Sequence, residues 1–217
     1  MSYRELKSRH RAERSTYPQN LSLRVHRALS WLDRAEQLAA DADSRFIFLW
    51  IAFNAAYAAE INDALRLSEQ RHFRRFVAKL IDLDRQGRIE DLVWQEFPGS
   101  IRLLIDNPFV FREFWAHQSG LMTEAEWKRR FGTARAAAHR ALGGRRTGTV
   151  LGIALSRLYV LRNQLMHGGA TWNGSVNRDQ VRDGANLLGK LVPMIIELMM
   201  DNPGTPWGEP TFPVVTG

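Results

Sequence analysis

Residues 150–169 read VLGIALSRLYVLRNQLMHGG, and their apolar side chains recur at intervals of three and four. This spacing places side chains on one face of an α-helix. The residues of that face are Leu151, Ala154, Leu155, Leu158, Leu161 and Leu165. The pair Gly168-Gly169 follows, and glycine is the residue that most often ends a helix. The stretch therefore predicts a helix over residues 150–166 with one buried face.

The polar residues at the end of this helix are the first candidates for a functional site. At about 100° per residue, Arg162 lies about 40° from the middle of the apolar face, whereas Asn163 and His167 lie on the other side. A guanidinium in that position needs an acceptor: a carboxylate, helix-end carbonyls, a partner subunit or a bound phosphate. The helix dipole favours a protonated His167, which suits a general acid or a phosphate contact. Arginine and histidine also occur in last turns simply because they complement the dipole, so the spacing alone leaves the function open.

Composition limits the class of protein. The 217 residues, 45% of them hydrophobic, suit one domain with a sizeable core. The absence of cysteine excludes disulfides, zinc–thiolate sites and a cysteine nucleophile. We find no N-terminal apolar run and no uncharged stretch long enough to span a membrane, so a cytoplasmic protein without membrane contact is expected. The histidines show no metal-ligand spacing, and no nucleotide-binding fingerprint appears, so neither a metal nor a cofactor is expected.

The net charge of +7 predicts an anionic partner such as nucleic acid. Arginine supplies most of the excess, which favours bidentate phosphate recognition, although GC-rich coding also enriches arginine. Basic residues gather just upstream of the motif helix, at Lys128, Arg129, Arg130, Arg135, His139, Arg140, Arg145 and Arg146. We expect the last three of these arginines to contact substrate or to support the motif.

The rest of the chain shows helical patterns and no strand pattern. Helices are predicted over residues 21–40, 45–61, 68–83, 123–142 and 178–200, with shorter pieces between 89 and 117 and a kink at Pro193. The segment 45–61 is apolar almost all round, which is typical of a central buried helix. Asn54 is the polar exception within it, and a buried amide there must bridge helices or hold a site residue in place. Phe109, Phe111, Phe114 and Trp115 follow helical spacing, which favours packing over base stacking.

These patterns divide the chain into three parts. Residues 1–19 are a polar, basic N-terminal arm, and residues 201–217 are an extended tail rich in proline and glycine. Between them, residues 20–200 form a single helical domain. Within that domain, residues 84–144 are an insertion or elaboration, and residues 145–200 contain the motif helix and the closing helix.

Two segments together resemble the HEPN superfamily. They are Leu161-Arg162-Asn163-Gln164-Leu165-Met166-His167-Gly168, followed by a polar loop and a closing helix, and the earlier segment FLWIAFNAAY over residues 48–57. The resemblance covers residues 21–200. The family pattern of arginine and histidine separated by four to six residues is loose, but Arg-Asn-x3-His-Gly at a helix end is more specific.

The resemblance implies an all-α, up-and-down helical bundle of HEPN type with additional helices inserted in the middle of the chain. It implies a homodimer in which Arg162 and His167 of two subunits face one composite active site, with Asn163 as the accompanying polar residue. Many members are metal-independent endoribonucleases of toxin–antitoxin, phage-defence or CRISPR systems, so RNA and an antitoxin or nucleotidyltransferase are the implied partners. Some members carry a tyrosine, modified by that nucleotidyltransferase, two places after the histidine. Gly169 stands there in this chain, so that modification is not expected.

The chemistry suits these residue types. The 2′-oxygen of RNA can attack the adjacent phosphorus, so an enzyme needs to position the chain, move protons and stabilise the developing charge. We assign stabilisation of the phosphate charge to Arg162 and proton transfer to His167. Asn163 would orient His167 or the phosphate. Two other hypotheses stay open. The first is a non-catalytic HEPN-like module that binds nucleotide or nucleic acid or acts as a scaffold. The second is a helical DNA-binding regulator, which is weaker because no helix-turn-helix spacing stands out.

Overall fold

Ten α-helices build the described part of the chain, which comprises residues 1–57 and 69–210 of a computed structural model. They are α1 (Tyr3–Glu13), α2 (Gln19–Gln37), α3 (Ala42–Tyr57), α4 (Glu69–Leu83), α5 (Arg88–Asp91), α6 (Pro98–Asp106), α7 (Arg112–Gln118), α8 (Glu124–Gly143), α9 (Thr147–Met166) and α10 (Arg178–Asp201). Within those ranges there is no β-strand, which confirms the all-α prediction.

Helix α3 is the centre of the core, as its nearly continuous apolar sequence predicts. It packs against α2, α9 and α10. Trp50 is buried, and its ring lies 5.5 Å from that of Phe53 and 6.1 Å from that of Phe73 on α4, measured between centroids. The helix begins after Asp41, whose carboxylate accepts hydrogen bonds from the backbone N–H groups of Asp43 and Ser44. Residues 58–61 of the predicted helix lie outside the described residues.

The motif helix α9 and the closing helix α10 match their predicted ranges to within a few residues. Helix α10 continues through Pro193. A Cβ atom at Gly184 of α10 would meet Leu158 of α9 at 2.8 Å and the ring of Phe46 of α3 at 3.0 Å. Glycine at this position therefore allows α3, α9 and α10 to approach closely and fixes α9 in the bundle.

The N-terminal segment is docked on the bundle, whereas the sequence predicts a polar arm with room for one short helix. It contains α1, which packs against α2 and α10. Leu6 and His10 of α1 are almost completely buried, and the guanidinium of Arg9 lies 2.7 Å from the carboxylate of Asp201. A short helix can dock through one buried face. The buried face of α1 has so few apolar residues that the sequence shows no clear apolar pattern there.

The C-terminal segment, residues 202–210, is extended as predicted, and it lies against the bundle. Trp207 of this segment is buried beneath Lys79 of α4. Arg24 of α2 is fully buried and donates to three backbone carbonyls, those of Ala56 at 3.1 Å, Gly208 at 3.1 Å and Glu209 at 2.6 Å. The segment is thus fixed by a buried arginine. Residues 211–217 of the predicted tail lie outside the described part.

The insertion, residues 84–144, packs on one side of α9 through α6 and α8. Its aromatic residues form a continuous cluster in which the rings of Phe114 and Trp127 are 5.3 Å apart and those of Phe111 and Phe131 are 5.2 Å apart. Phe111 is buried, whereas Phe109 and Trp115 keep 47% and 40% of their surface exposed. The aromatic cluster joins α7 to α8 and carries two apolar side chains to the surface near the end of α9.

Candidate active site at the end of α9

The end of α9 has the backbone geometry that its two glycines predict. Gly168 has φ +70°, a left-handed conformation that residues with a Cβ rarely adopt. The N–H of Gly169 donates to the carbonyl of Gln164 at 2.7 Å, and that of Gly168 donates to Leu165 at 3.4 Å. This pair of bonds is a Schellman motif with His167 as the C-cap residue. Backbone hydrogen bonds therefore fix the position of His167 at the end of α9.

We expect Gly168→Ala to destabilise the protein by about 1 kcal/mol, because alanine is strained at positive φ. The melting temperature is expected to fall by about 2–4 °C for a chain of this size. Thermal unfolding followed by circular dichroism measures the change. Gly132→Ala is the matched control, since Gly132 lies within α8 with open space around its Cβ position. Alanine there is expected to leave stability unchanged or to raise it. Equal melting temperatures for Gly168→Ala and wild type would show that the left-handed backbone at Gly168 does not require glycine for stability.

Arg162 and Asn163 are each half-buried and are joined to each other. The Nη1 atom of Arg162 donates to Oδ1 of Asn163 at 2.9 Å. The sequence predicts that Arg162 needs a hydrogen-bond acceptor, and the structure provides one in the side-chain amide oxygen of Asn163. Within the described chain no carboxylate lies at ion-pair distance from this guanidinium. Its positive charge is therefore available to an anion.

His167 is exposed, and its ring makes no hydrogen bond to any described residue. It lies at the C-terminal end of a 20-residue helix, where the helix dipole favours a positive charge. An imidazole in this position is free to donate or accept a proton. His167 and Arg162 are five residues apart, which places them on different sides of the helix by about 140°.

A network of side-chain amides holds the end of α9, and the sequence analysis did not identify it. Gln164 donates through Nε2 to the carbonyl of Phe109 at 2.6 Å and accepts from Nδ2 of Asn177 at 3.1 Å. Asn177 in turn accepts from Nδ2 of Asn107 at 3.4 Å. The amide network thus ties the motif to the α6–α7 connection and to the start of α10. The only sequence signal for it is the position of Gln164 between Arg162 and His167.

The loop after the motif is fixed to the start of α3. Arg178 donates to both carboxylate oxygens of Asp43, at 3.1 and 2.8 Å, and the same carboxylate accepts from the backbone N–H of Asn173 at 2.9 Å. The indole of Trp172 donates to Asp41 at 3.3 Å. The hydroxyl of Ser44, which donates to Asp41, holds the pKa of that carboxyl below its usual value. Two carboxylates at the start of α3, those of Asp41 and Asp43, therefore position the loop that follows His167.

The structure does not bring the other predicted site residues to the motif. Arg140, Arg145 and Arg146 lie around the turn that precedes α9, and the helix separates them from its other end by about 30 Å. Arg145 stacks over Trp94 at 4.9 Å and approaches Glu90 at 3.7 Å. Asn54 is half-buried, and its side chain makes no hydrogen bond among the described residues. Arg140, Arg145 and Arg146 therefore do not contact Arg162 or His167 within one chain, and a role in binding substrate or supporting the motif stays a prediction for these three arginines and for Asn54.

Arg157 is the buried arginine of α9, and its environment could not be read from the sequence. It is 5% exposed, and its Nε atom has no hydrogen-bond partner. The guanidinium lies over the ring of Phe111 at 4.4 Å and over that of Phe131 at 5.7 Å. Burial lowers the pKa of Arg157 to about 10. Its contacts with two aromatic faces stabilise the insertion against α9.

Comparison of the chain with protein-family models, curated proteins and solved structures found no match. No described helix is long and apolar enough to cross a membrane. The residues for which side chains are described hold no cluster of three or more histidine or carboxylate groups able to ligate a metal ion. The functional argument therefore depends on the geometry at the end of α9.

Proposed function

We propose that the protein is a HEPN-type, metal-independent endoribonuclease whose catalytic residues are Arg162 and His167. The proposal includes the HEPN-type bundle, a homodimer with a composite active site, and a role in toxin–antitoxin or phage-defence systems. It also includes RNA as substrate and an antitoxin or nucleotidyltransferase as partner. These proposals about fold type, dimer, substrate and partners rest on the resemblance of the motif to the HEPN pattern. The geometry at the end of α9 is compatible with them.

One observation supports the proposal: at the same fixed helix end lie an exposed imidazole that makes no hydrogen bond to the described residues and a guanidinium that has no carboxylate partner among them. Two other half-buried arginines of the described chain, Arg88 and Arg178, pair with the carboxylates of Glu197 and Asp43. Arg162 instead has a neutral partner that leaves its charge uncompensated. The Schellman motif and the amide network hold this end in place. A preorganised cation beside a free imidazole suits a reaction that develops negative charge on phosphate.

In the proposed reaction the 2′-oxygen of one nucleotide attacks the adjacent phosphorus and the bond to the 5′-oxygen of the next nucleotide breaks. The 2′-hydroxyl loses a proton and the departing 5′-oxygen gains one, so the products are a 2′,3′-cyclic phosphate and a 5′-hydroxyl. Arg162 stabilises the charge on the non-bridging oxygens, and His167 transfers one of the two protons. Asn163 orients Arg162 through the bond that joins them.

In the proposed dimer, a second subunit brings a histidine close to an arginine, which a single helix end does not do. The separation of about 140° between Arg162 and His167 makes it difficult for one chain to direct both side chains at the same phosphate. Two-fold symmetry would present the same surface twice and bring an arginine and a histidine of different subunits together. The proposed composite active site follows from that separation.

The test is incubation of purified full-length protein with single-stranded RNA in the presence of a metal chelator. We expect cleavage to yield fragments with 2′,3′-cyclic phosphate and 5′-hydroxyl ends. DNA of the same sequence is the matched control, and it must stay intact because it lacks the attacking 2′-oxygen. Loss of cleavage on addition of chelator, cleavage of DNA, or products with 5′-phosphate ends would refute the proposed mechanism.

The non-catalytic alternative has one observation in its favour, the bond between Arg162 and Asn163 within a single helix end. A binding module would use the same charge to hold RNA without cleaving it. The assay separates the two functions. RNA that is bound in a gel-shift experiment and recovered intact supports the binding module, and chelator-resistant cleavage supports the nuclease.

A further inference from the structure

A second cationic site lies between α1 and α2, far from the motif. The 3-10 turn Arg14–Thr16 joins the two helices, and a cavity of about 450 Å³ opens between them. Its volume falls in the range of small-molecule sites. The ion pair of Arg9 with Asp201 places it at the C-terminal end of α10, whereas Asn177 at the start of α10 contacts the motif helix. Helix α10 has 24 residues and is about 36 Å long, and the two sites lie at its opposite ends.

His10 is a buried wall of this cavity. Its side chain is 1% exposed, with Nε2 lying 3.4 Å from the hydroxyl of Ser22. The other ring nitrogen, Nδ1, is buried and has no hydrogen-bond partner. A buried polar atom without a partner costs free energy and is rare in folded proteins. His10 therefore lines the cavity as a buried polar ring whose hydrogen-bonding capacity the described residues do not fill.

The groups around His10 are cationic. The ring of His26 is 6.4 Å from that of His10, and Nζ of Lys7 lies 3.3 Å from Nδ1 of His26. Arg14 also lines the cavity. Burial and the nearby positive charge of Lys7 lower the pKa of both His10 and His26. The positive charges of Lys7 and Arg14 thus favour the neutral form of both imidazoles, and a bound anion would offset that positive charge.

The nearby carboxylates do not offset this charge. Glu13 of α1 is bonded to Arg9 and to the hydroxyl of Tyr17, and Asp201 of α10 is bonded to Arg9. Asp33 of α2 acts on Lys7, while Arg11 of α1 and Arg27 of α2 add further positive charge. An anion is the ligand that this combination of groups favours.

We propose that the cavity between α1 and α2 binds the phosphate group of a small ligand through His10, Arg14 and His26. The site is independent of the proposed RNA cleavage at the end of α9. A phosphate oxygen would accept from the histidine rings and from the guanidinium of Arg14, and the anion would offset the positive charge of Arg14 and of the nearby Lys7. A protonated histidine binds an anion more tightly than a neutral one, so affinity is expected to rise as the pH falls.

The experiment is a titration of the full-length protein with inorganic phosphate, with the imidazole signals of the six histidines followed by NMR. Ionic strength is held constant with sodium chloride. We expect saturable shifts at His10 and His26, while His139, which pairs with Asp106 on the insertion, responds only weakly. Sulfate is titrated in parallel, because its charge does not change between pH 6 and pH 8. Its affinity is expected to rise as the pH falls from 8 to 6, because a bound anion favours the protonated histidines.

Variants test the assignment. Arg14→Ala and His26→Asn each remove one exposed cationic side chain and are expected to weaken phosphate binding by about tenfold. Arg34→Ala is the matched control, because Arg34 is an exposed arginine of α2 whose side chain bonds Gln37 outside the cavity. A parallel titration with 5′-AMP distinguishes a phosphate ester from the free anion. Tighter binding of 5′-AMP indicates the ester, equal affinity indicates the free anion, and either supports a phosphate site.

Three results would overturn the proposal: shifts that do not saturate at His10 and His26, equal responses at all histidines, or equal affinity in Arg14→Ala and Arg34→Ala. None of them bears on RNA cleavage, because His167 and Arg162 lie at the other end of α10. Conversely, saturable phosphate binding at this cavity together with a lack of RNA cleavage would support this site and refute the nuclease.

Discussion

Alanine in place of His167 is expected to lower the rate of RNA cleavage by about 100- to 10,000-fold, the usual contribution of a general acid or base. His167 is exposed and makes no hydrogen bond to the described chain, so its removal leaves the packing of the bundle unchanged. Arg162→Ala is expected to lower the rate by about 100- to 1,000-fold through loss of charge stabilisation. Single-turnover cleavage of a labelled RNA measures both effects.

Matched controls separate catalysis from folding. His139→Ala removes an exposed histidine that pairs with Asp106 on the insertion, and it is expected to cleave RNA at the wild-type rate. Arg162→Lys keeps the charge and loses the planar fork, so we expect partial activity. Melting temperatures of His167→Ala and wild type should agree. Activity that survives in both alanine variants would rule out this motif as the catalytic site.

Mixing the two inactive variants tests the composite site. If each site takes Arg162 from one subunit and His167 from the other, a mixed dimer of the two variants contains one intact site. Random exchange of subunits is then expected to restore about a quarter of the wild-type rate. If one chain supplies both residues, or if a site needs both copies of each, mixing restores nothing. The experiment therefore identifies which subunit contributes each group.

The largest expected effect on stability belongs to Arg24→Ala. The side chain of Arg24 is fully buried and donates to the carbonyls of Ala56, Gly208 and Glu209. Its removal leaves three acceptors without their charged donor. Hydrogen bonds from charged groups are strong, so we expect a loss of about 3 kcal/mol in the free energy of unfolding. The melting temperature would fall by about 6–12 °C in a chain of this size.

Limited proteolysis provides the second readout for Arg24. Loss of its bonds to Gly208 and Glu209 is expected to release residues 202–210 from α2 and to expose them to protease. Arg24→Lys should not restore the wild-type melting temperature, because one ammonium group cannot reproduce the fork that reaches three carbonyls. Arg34→Ala on the same helix is the control and is expected to change stability by less than about 0.5 kcal/mol. Wild-type stability of Arg24→Ala would show that the three carbonyls find other donors.

Local sequence patterns predict most of the helices. The ranges of α9 and α10 follow from apolar spacing, and the burial of α3 follows from an apolar sequence on every face. The position at which α9 ends can be predicted from Gly168 and Gly169, and Gly168 has the expected left-handed backbone in the structure. These features depend on neighbours within one or two turns, which is why the sequence alone specifies them.

Features that depend on distant contacts could not be predicted. Arg24 and the segment that it holds are more than 180 residues apart, and nothing in the pattern of either indicates the other. Docking of α1 depends on Leu6 and His10, which are isolated in a polar sequence. At the candidate site, Arg162, Asn163 and His167 were found from their spacing, whereas Gln164 was not, because its partners Phe109 and Asn177 come from other elements.

The groups that hold the motif in place differ in kind from those that the proposed reaction uses. Gln164, Asn177 and Asn107 are uncharged amides, and they carry no proton that can be gained or lost between about pH 5 and pH 8. Histidine is the side chain that ordinarily changes charge there. A change of pH over this interval therefore acts on the proposed reaction while the amide network that supports the motif stays intact.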